Sequence, residues 1–97
     1  MERIELKYPA SNVVIKRAHV GVVGSGDLEV LLQPIPGQEA EVIILTSVNG
    51  FRETWTAVLD RFFATYQGAV RIEINDAGAT PGNVLLRLKQ AVEVSQS

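Results

Sequence analysis

The chain has 97 residues, 46% hydrophobic and 21% charged, with 9 Lys+Arg against 11 Asp+Glu and a formal net charge of −2. That suits a single domain over residues 1–97 with its own core and excludes a mainly disordered chain. With no cysteine and one histidine, His19, it also excludes disulfides, a thiolate nucleophile and cysteine-ligated metals.

Residues 2–8 alternate apolar and charged side chains at Ile4, Leu6 and Tyr8, which predicts a half-buried strand. Pro9 to Asn12 break it, and the β-branched run 13–23 (VVIKRAHVGVV) predicts a second strand. Gly24-Ser25-Gly26-Asp27 has turn chemistry, and 28–32 (LEVLL) predicts a third strand, so the two form a hairpin with Ser25 at its tip. After Pro34, Pro36 and Gly37, the apolar run 40–46 predicts a strand covered on both faces. Trp55, Val58, Leu59, Phe62, Phe63 and Tyr66 then fall on one helical stripe within 52–67, with Gly68 as its stop. Val70, Ile72 and Ile74 alternate in a strand over 69–75, giving a βαβ unit with 40–46 if the two run parallel. Thr80-Pro81 supplies a helix start, and Val84, Leu85, Leu88, Ala91 and Val92 carry that helix to about residue 94. The expected fold is α+β: one mixed sheet and two helices in the order β-β-β-β-α-β-α.

Few residues offer chemistry. Gly21-x-x-Gly24-x-Gly26 precedes a strand and lacks a Lys-Ser/Thr pair, so it does not form a phosphate-binding loop at a helix N-terminus. A small serine hydrolase would need a base beside Ser25, yet across the hairpin His19 faces residues near 31, several strand rises of ~3.4 Å from the tip. His19 therefore reads as a sheet-surface imidazole. Glu29 takes the solvent-facing phase of its strand, and Asp76 ends strand 69–75 through a turn hydrogen bond. These acids describe no metal site, and the aromatic stripe has no flanking cations for nucleic acid. No catalytic residue and no metal ligand is predicted. The N-terminal MERIELKYPASN lacks a signal pattern and no apolar run approaches the ~18 residues of a membrane span, so a soluble, cytoplasmic chain is expected, without membrane or nucleic-acid partners.

Ser25 has the sharpest functional reading, because Gly24 and Gly26 strip steric cover from a hydroxyl at a hairpin tip. Spacing alone leaves this beside an ordinary Gly-Ser-Gly turn. Asp27 has two open roles: holding the turn through a local amide, or offering a charge to a docking enzyme. A pure interaction module with an exposed apolar sheet face is a reading of a different class. Biotinyl and lipoyl carriers also use a hairpin, but they need a lysine that this turn lacks.

The blocks Val22-Val23-Gly24-Ser25-Gly26-Asp27-Leu28-Glu29-Val30-Leu31, Thr46-Ser47-Val48-Asn49-Gly50 and Asp76-Ala77-Gly78-Ala79-Thr80-Pro81-Gly82 resemble the acyl carrier (delta) subunits of malonate decarboxylase. The resemblance spans nearly the whole chain, and citrate lyase acyl carriers are more distantly similar. It implies a non-catalytic carrier whose Ser25 bears 2′-(5″-phosphoribosyl)-3′-dephospho-CoA through a phosphodiester, supported by Gly24, Gly26 and Asp27. Acetyl and malonyl thioesters would ride on that arm. The implied partners are an acetyl-S-carrier:malonate carrier-transferase subunit, a two-subunit malonyl-carrier decarboxylase, a malonyl transferase and a holo-carrier synthase.

Overall fold

Alternation at period two decides which side of the sheet is covered. The computed structural model describes residues 1–97, and its elements run β1 (Glu2–Pro9), β2 (Ala18–Gly21), β3 (Leu28–Pro34), β4 (Glu39–Thr46), α1 (Arg52–Phe63), β5 (Val70–Asp76) and α2 (Pro81–Gln96). The strands form one sheet in the order β1-β4-β5-β3-β2. β4 and β5 are parallel with α1 as their crossover, and the other three pairings are antiparallel. The expected mixed sheet with two helices is the observed architecture.

The register stacks the apolar phase of every strand. Ile4 lies opposite Ile44, and Ile72 lies opposite Val42 on one side and Leu32 on the other. All five residues are buried, and they join Trp55, Leu59 and Phe62 of α1 and Val84, Leu88 and Ala91 of α2 in one cluster. Full burial of a Leu or Ile side chain contributes about 1.5–3 kcal/mol, so this single layer between sheet and helices carries most of the stability. Thr80 caps α2 as its sequence predicts, its Oγ accepting from the Asn83 amide at 3.2 Å, with Pro81 at the first helical position.

Three expectations need correction. β4 is covered on one face only: Ile43 and Leu45 point to the open side, where they are half-buried between Glu5 and Glu73 and between Arg3 and Asn75. The stems of long polar neighbours give enough cover to explain a nearly continuous apolar strand. Second, residues 13–17 are not strand. The chain must pass from the β1 edge to the opposite β2 edge, and along that path Asn12 makes only an isolated bridge to Gly68. Val13 and Ile15 are left 86% and 90% exposed. Third, α1 ends at Phe63, before the expected 67. Thr65 and Tyr66 turn back to the Phe62 carbonyl, and Gly68 sits buried where a side chain would overlap the Tyr66 ring and Val14. Gly68 serves close packing and does not stop the helix.

Candidate functional site: the serine loop

At one end of the sheet β4 and β5 finish, both helices begin, and the β2–β3 connection crosses. That connection, residues 22–27, carries Ser25. β2 closes at Gly21 with φ +79, where a Cβ would collide with the Leu28 carbonyl. Val22 and Val23 then stand out, 63% and 60% exposed. Gly24 to Asp27 form a β-turn in which the Asp27 amide donates to the Gly24 carbonyl at 2.9 Å. Gly26, third in the turn, has φ +76, the left-handed backbone that a type II turn requires at that position.

This loop is fastened from below. The Gly26 amide donates to the Ala77 carbonyl at 2.8 Å, and the Ala77 amide donates to the Asp27 carbonyl at 2.9 Å. The Asp27 carboxylate then ties the turn to one distant element, α2. Its Oδ1 accepts from the Leu28 amide at 2.7 Å, Asn83 Nδ2 at 2.9 Å and Arg87 Nε at 3.2 Å, while Oδ2 accepts from Arg87 Nη2 at 2.6 Å. The Arg87 guanidinium, helped by the Leu28 amide, holds the Asp27 carboxyl down at about 2. The shelf beneath is anchored in turn by buried Asp76. Its Oδ2 accepts from the Thr46 hydroxyl at 2.8 Å and the Gly78 amide at 3.1 Å, and its Oδ1 accepts from the Ala79 amide at 2.9 Å.

Ser25 is the second residue of the turn and is exposed, and none of the protein's hydrogen bonds engages its hydroxyl. A Cβ on Gly26 would meet nothing within 4 Å, and one on Gly24 would meet only a Val22 methyl at 3.9 Å. The space around the hydroxyl is open. His19 pairs with Leu31 on the open face of the sheet, as its hairpin register predicts, and its Nε2 lies 2.8 Å from Glu29 Oε2. No hydrogen bond joins Ser25 to a base, and the one imidazole of the chain is engaged with Glu29.

The sequence-level reading of Asp27 as a turn acceptor corresponds to the Leu28 amide, but its charge is directed inward to Arg87. Arg87 and Asn83 were not among the expected site residues. Their i, i+4 spacing places them on one face of α2, yet nothing local links them to a residue 56 positions earlier. Beside the loop a cleft of about 250 Å³ opens between the start of α1 and residues 78–81, lined by Val48, Phe51, Trp55, Ala79 and Val84 among others.

Fold and loop together define a small α+β domain that displays one serine on an anchored turn. Comparison with known proteins gives that class its family. Residues 15–95 match the family described as malonate decarboxylase delta subunit (MdcD). Malonate decarboxylase acyl carrier proteins of Azotobacter vinelandii and Pseudomonas aeruginosa are 48% and 47% identical, each alignment covering 96% of this chain and 95% of the relative. That of Xanthomonas campestris is 46% identical over 99% of this chain and 96% of its own. Among solved structures, a chain of a Pseudomonas malonate decarboxylase hetero-tetramer in complex with malonate superposes with a TM-score of 0.94 at 44% identity, covering 98% of this chain and 99% of that one. The chain belongs to the malonate decarboxylase delta subunit family, the acyl carrier proteins of that complex.

Proposed function

We propose that the chain is the non-catalytic acyl carrier of a cytoplasmic malonate decarboxylase, bearing 2′-(5″-phosphoribosyl)-3′-dephospho-CoA on Ser25 through a phosphodiester. One observation carries this reading: an exposed, unbonded serine hydroxyl on a turn with open space on both flanks. That open space leaves room for a bulky phosphodiester on the hydroxyl. When bound, the arm's thiol holds acyl groups as thioesters, whose carbonyl stabilises the α-carbanion left by decarboxylation. Everything else falls to the chain's own residues. Gly26 bends the backbone so that Ser25 leads, and Asp27, Asn83 and Arg87 keep that bend in one orientation. A fixed base for a long arm raises the effective concentration of its acyl group at each enzyme it visits. The enzymes proposed to meet the arm are an acetyl-S-carrier:malonate carrier-transferase subunit, a two-subunit malonyl-carrier decarboxylase, a malonyl transferase that primes the carrier and a holo-carrier synthase. No helix of the molecule is long and apolar enough to cross a membrane.

The test is the intact mass of protein co-expressed with its holo-carrier synthase, with peptide mapping of the adduct. Wild type should gain one adduct on the peptide containing Ser25, and Ser25→Ala should gain none. Because an exposed turn serine packs against little, the variant's stability should stay within about 0.5 kcal/mol of wild type. An adduct that persists in Ser25→Ala would move the site elsewhere.

A further inference from the structure

We propose that Asn49-Gly50 is a self-modifying site with Glu2 as its base: the Gly50 nitrogen attacks the Asn49 side-chain carbonyl and expels ammonia, and water then opens the ring to an aspartyl or isoaspartyl residue. The proposal is independent of Ser25 and of the carrier function.

The nucleophile in this chemistry is the backbone nitrogen that follows an asparagine. A fold ordinarily suppresses it by holding that nitrogen's proton in a ladder or helix bond and by crowding the approach. The chain has four asparagines, followed by Val13, Gly50, Asp76 and Val84. Three are blocked. Asn83 donates to Asp27, and the amide after it is bonded to the Thr80 carbonyl. Asn75 donates to Glu29, and Asp76 after it lies in the β3–β5 ladder. Asn12 accepts from the Ser11 hydroxyl and precedes a β-branched residue. Asn49 differs on each count. Its side chain is exposed and enters none of the protein's hydrogen bonds. Gly50 has no Cβ to bar that side chain from swinging over its nitrogen. The Gly50 amide takes part in no backbone hydrogen bond, and its one partner is Glu2 Oε1 at 3.2 Å.

That partner is the base the reaction needs. Glu2 opens β1 opposite Thr46, the last residue of β4, so the loop starts beside it. The loop is pinned there by the Ser47 amide on the Asp76 carbonyl and the Val48 amide on the Thr46 hydroxyl, each at 3.1 Å. Glu2 forms no ion pair, which leaves its carboxylate free to accept a proton. A base must lie within about 2.6–3.2 Å of the atom whose proton it takes. The N–H bond lies in the peptide plane, whereas the nitrogen attacks from above that plane. Glu2 therefore draws off the proton without covering the attacking face. The N–Cγ bond forms, the Cγ–Nδ2 bond breaks, and the proton leaves with Nδ2 as ammonia. Water then adds to one of the two ring carbonyls, so the net change is amide plus water to carboxyl plus ammonia. Either product adds a negative charge to the loop, at the rim of the cleft lined by Val48 and Phe51.

The test is to incubate the purified protein at neutral pH, folded and in urea, and to follow the Asn49 peptide by mass, with aspartyl and isoaspartyl forms separated by chromatography. Wild type should convert at Asn49 about tenfold faster when folded than when unfolded, while Asn75 and Asn83 keep their amides. Glu2→Gln keeps an oxygen for the Gly50 amide but cannot take its proton, so the variant, folded by its melting curve, should lose that excess. A substitution that merely loosened the loop would convert no slower than wild type. Folded wild type no faster than unfolded, or a folded Glu2→Gln as fast as wild type, would each overturn the proposal. The folded-against-unfolded comparison of wild type decides it even if the variant does not fold.

Discussion

The two segments flanking β2 invert what their sequences suggest. Residues 13–17, VVIKR, have the β-branched residues that favour strands, yet they join no strand and leave Val13 and Ile15 in water. Residues 22–27, VVGSGD, look loose because of their glycines. They are nevertheless held by two backbone bonds to Ala77, one turn bond and four bonds to the Asp27 carboxylate. Propensity describes what a segment would do with a suitable neighbour, and only the topology decides whether a neighbour exists. A loop that must present a side chain to enzymes needs definition more than it needs regular structure, and here a helix 60 residues away provides it through Arg87.

Gly21 is the largest lever on this contrast, because it joins the strand to the loop. Alanine there would sit at positive φ and drive its Cβ into the Leu28 carbonyl, so Gly21→Ala should cost about 2 kcal/mol or more in urea unfolding. A loss below about 0.5 kcal/mol would mean that the loop adapts freely. Next come the two turn glycines. Gly26→Val places a β-branched residue at φ +76 and should cost about 1–2 kcal/mol. Gly24 has no positive φ and meets only one methyl, so Gly24→Val should stay within about 0.5 kcal/mol and slow prosthetic-group attachment instead. Equal effects on stability would contradict the turn geometry. From the other side, the pair Val13→Ser and Ile15→Ser should be nearly silent, within about 0.5 kcal/mol in the same unfolding assay, because both side chains are already hydrated. A large loss would make 13–17 part of the folded layer after all.

What was legible in the sequence follows the range of the forces involved. Period-two alternation in 2–8 and 69–75 and the 3.6-residue stripe from Trp55 record burial directly, so the order β-β-β-β-α-β-α and the core residues could be read. The tip position of Ser25 and the Thr80 cap are local, and they could be read as well. The strand expected over 13–23 is present only as Ala18–Gly21, because period and propensity say nothing about the crossing from one sheet edge to the other. Coverage of β4 on both faces failed because apolar residues between long polar neighbours resemble a buried run. In the site, Asp27 carried turn chemistry, but its tie to Asn83 and Arg87 is purely tertiary. No local pattern announces it.

That tie gives the smallest effect and the most specific one. In an ordinary environment the Asp27 carboxyl would titrate near 3.8, and Arg87 lowers it to about 2 in the folded chain. A carboxyl whose folded value is depressed stabilises the fold above its unfolded value and loses that contribution as pH falls through the folded one. The contribution of Asp27 should therefore be complete at neutral pH, decline from about pH 4 and vanish near pH 2. Asparagine cannot reproduce the arrangement. If its oxygen keeps the Leu28 amide and Asn83, its Nδ2 faces Arg87 Nη2, donor against donor, where Oδ2 had accepted at 2.6 Å. The urea midpoint of Asp27→Asn should accordingly lie below that of wild type at pH 7, with the two curves converging as pH approaches 2. Every other acid is common to the two proteins, so the difference isolates the pair. Because the wild-type charge is already directed to Arg87, the rate of Ser25 modification should fall with the loosening of the turn and keep its dependence on salt. A midpoint difference that stays constant from pH 7 to pH 2 would show that Arg87 does not hold the turn through charge. A weakened salt dependence in the variant would return Asp27 to the role of a docking charge.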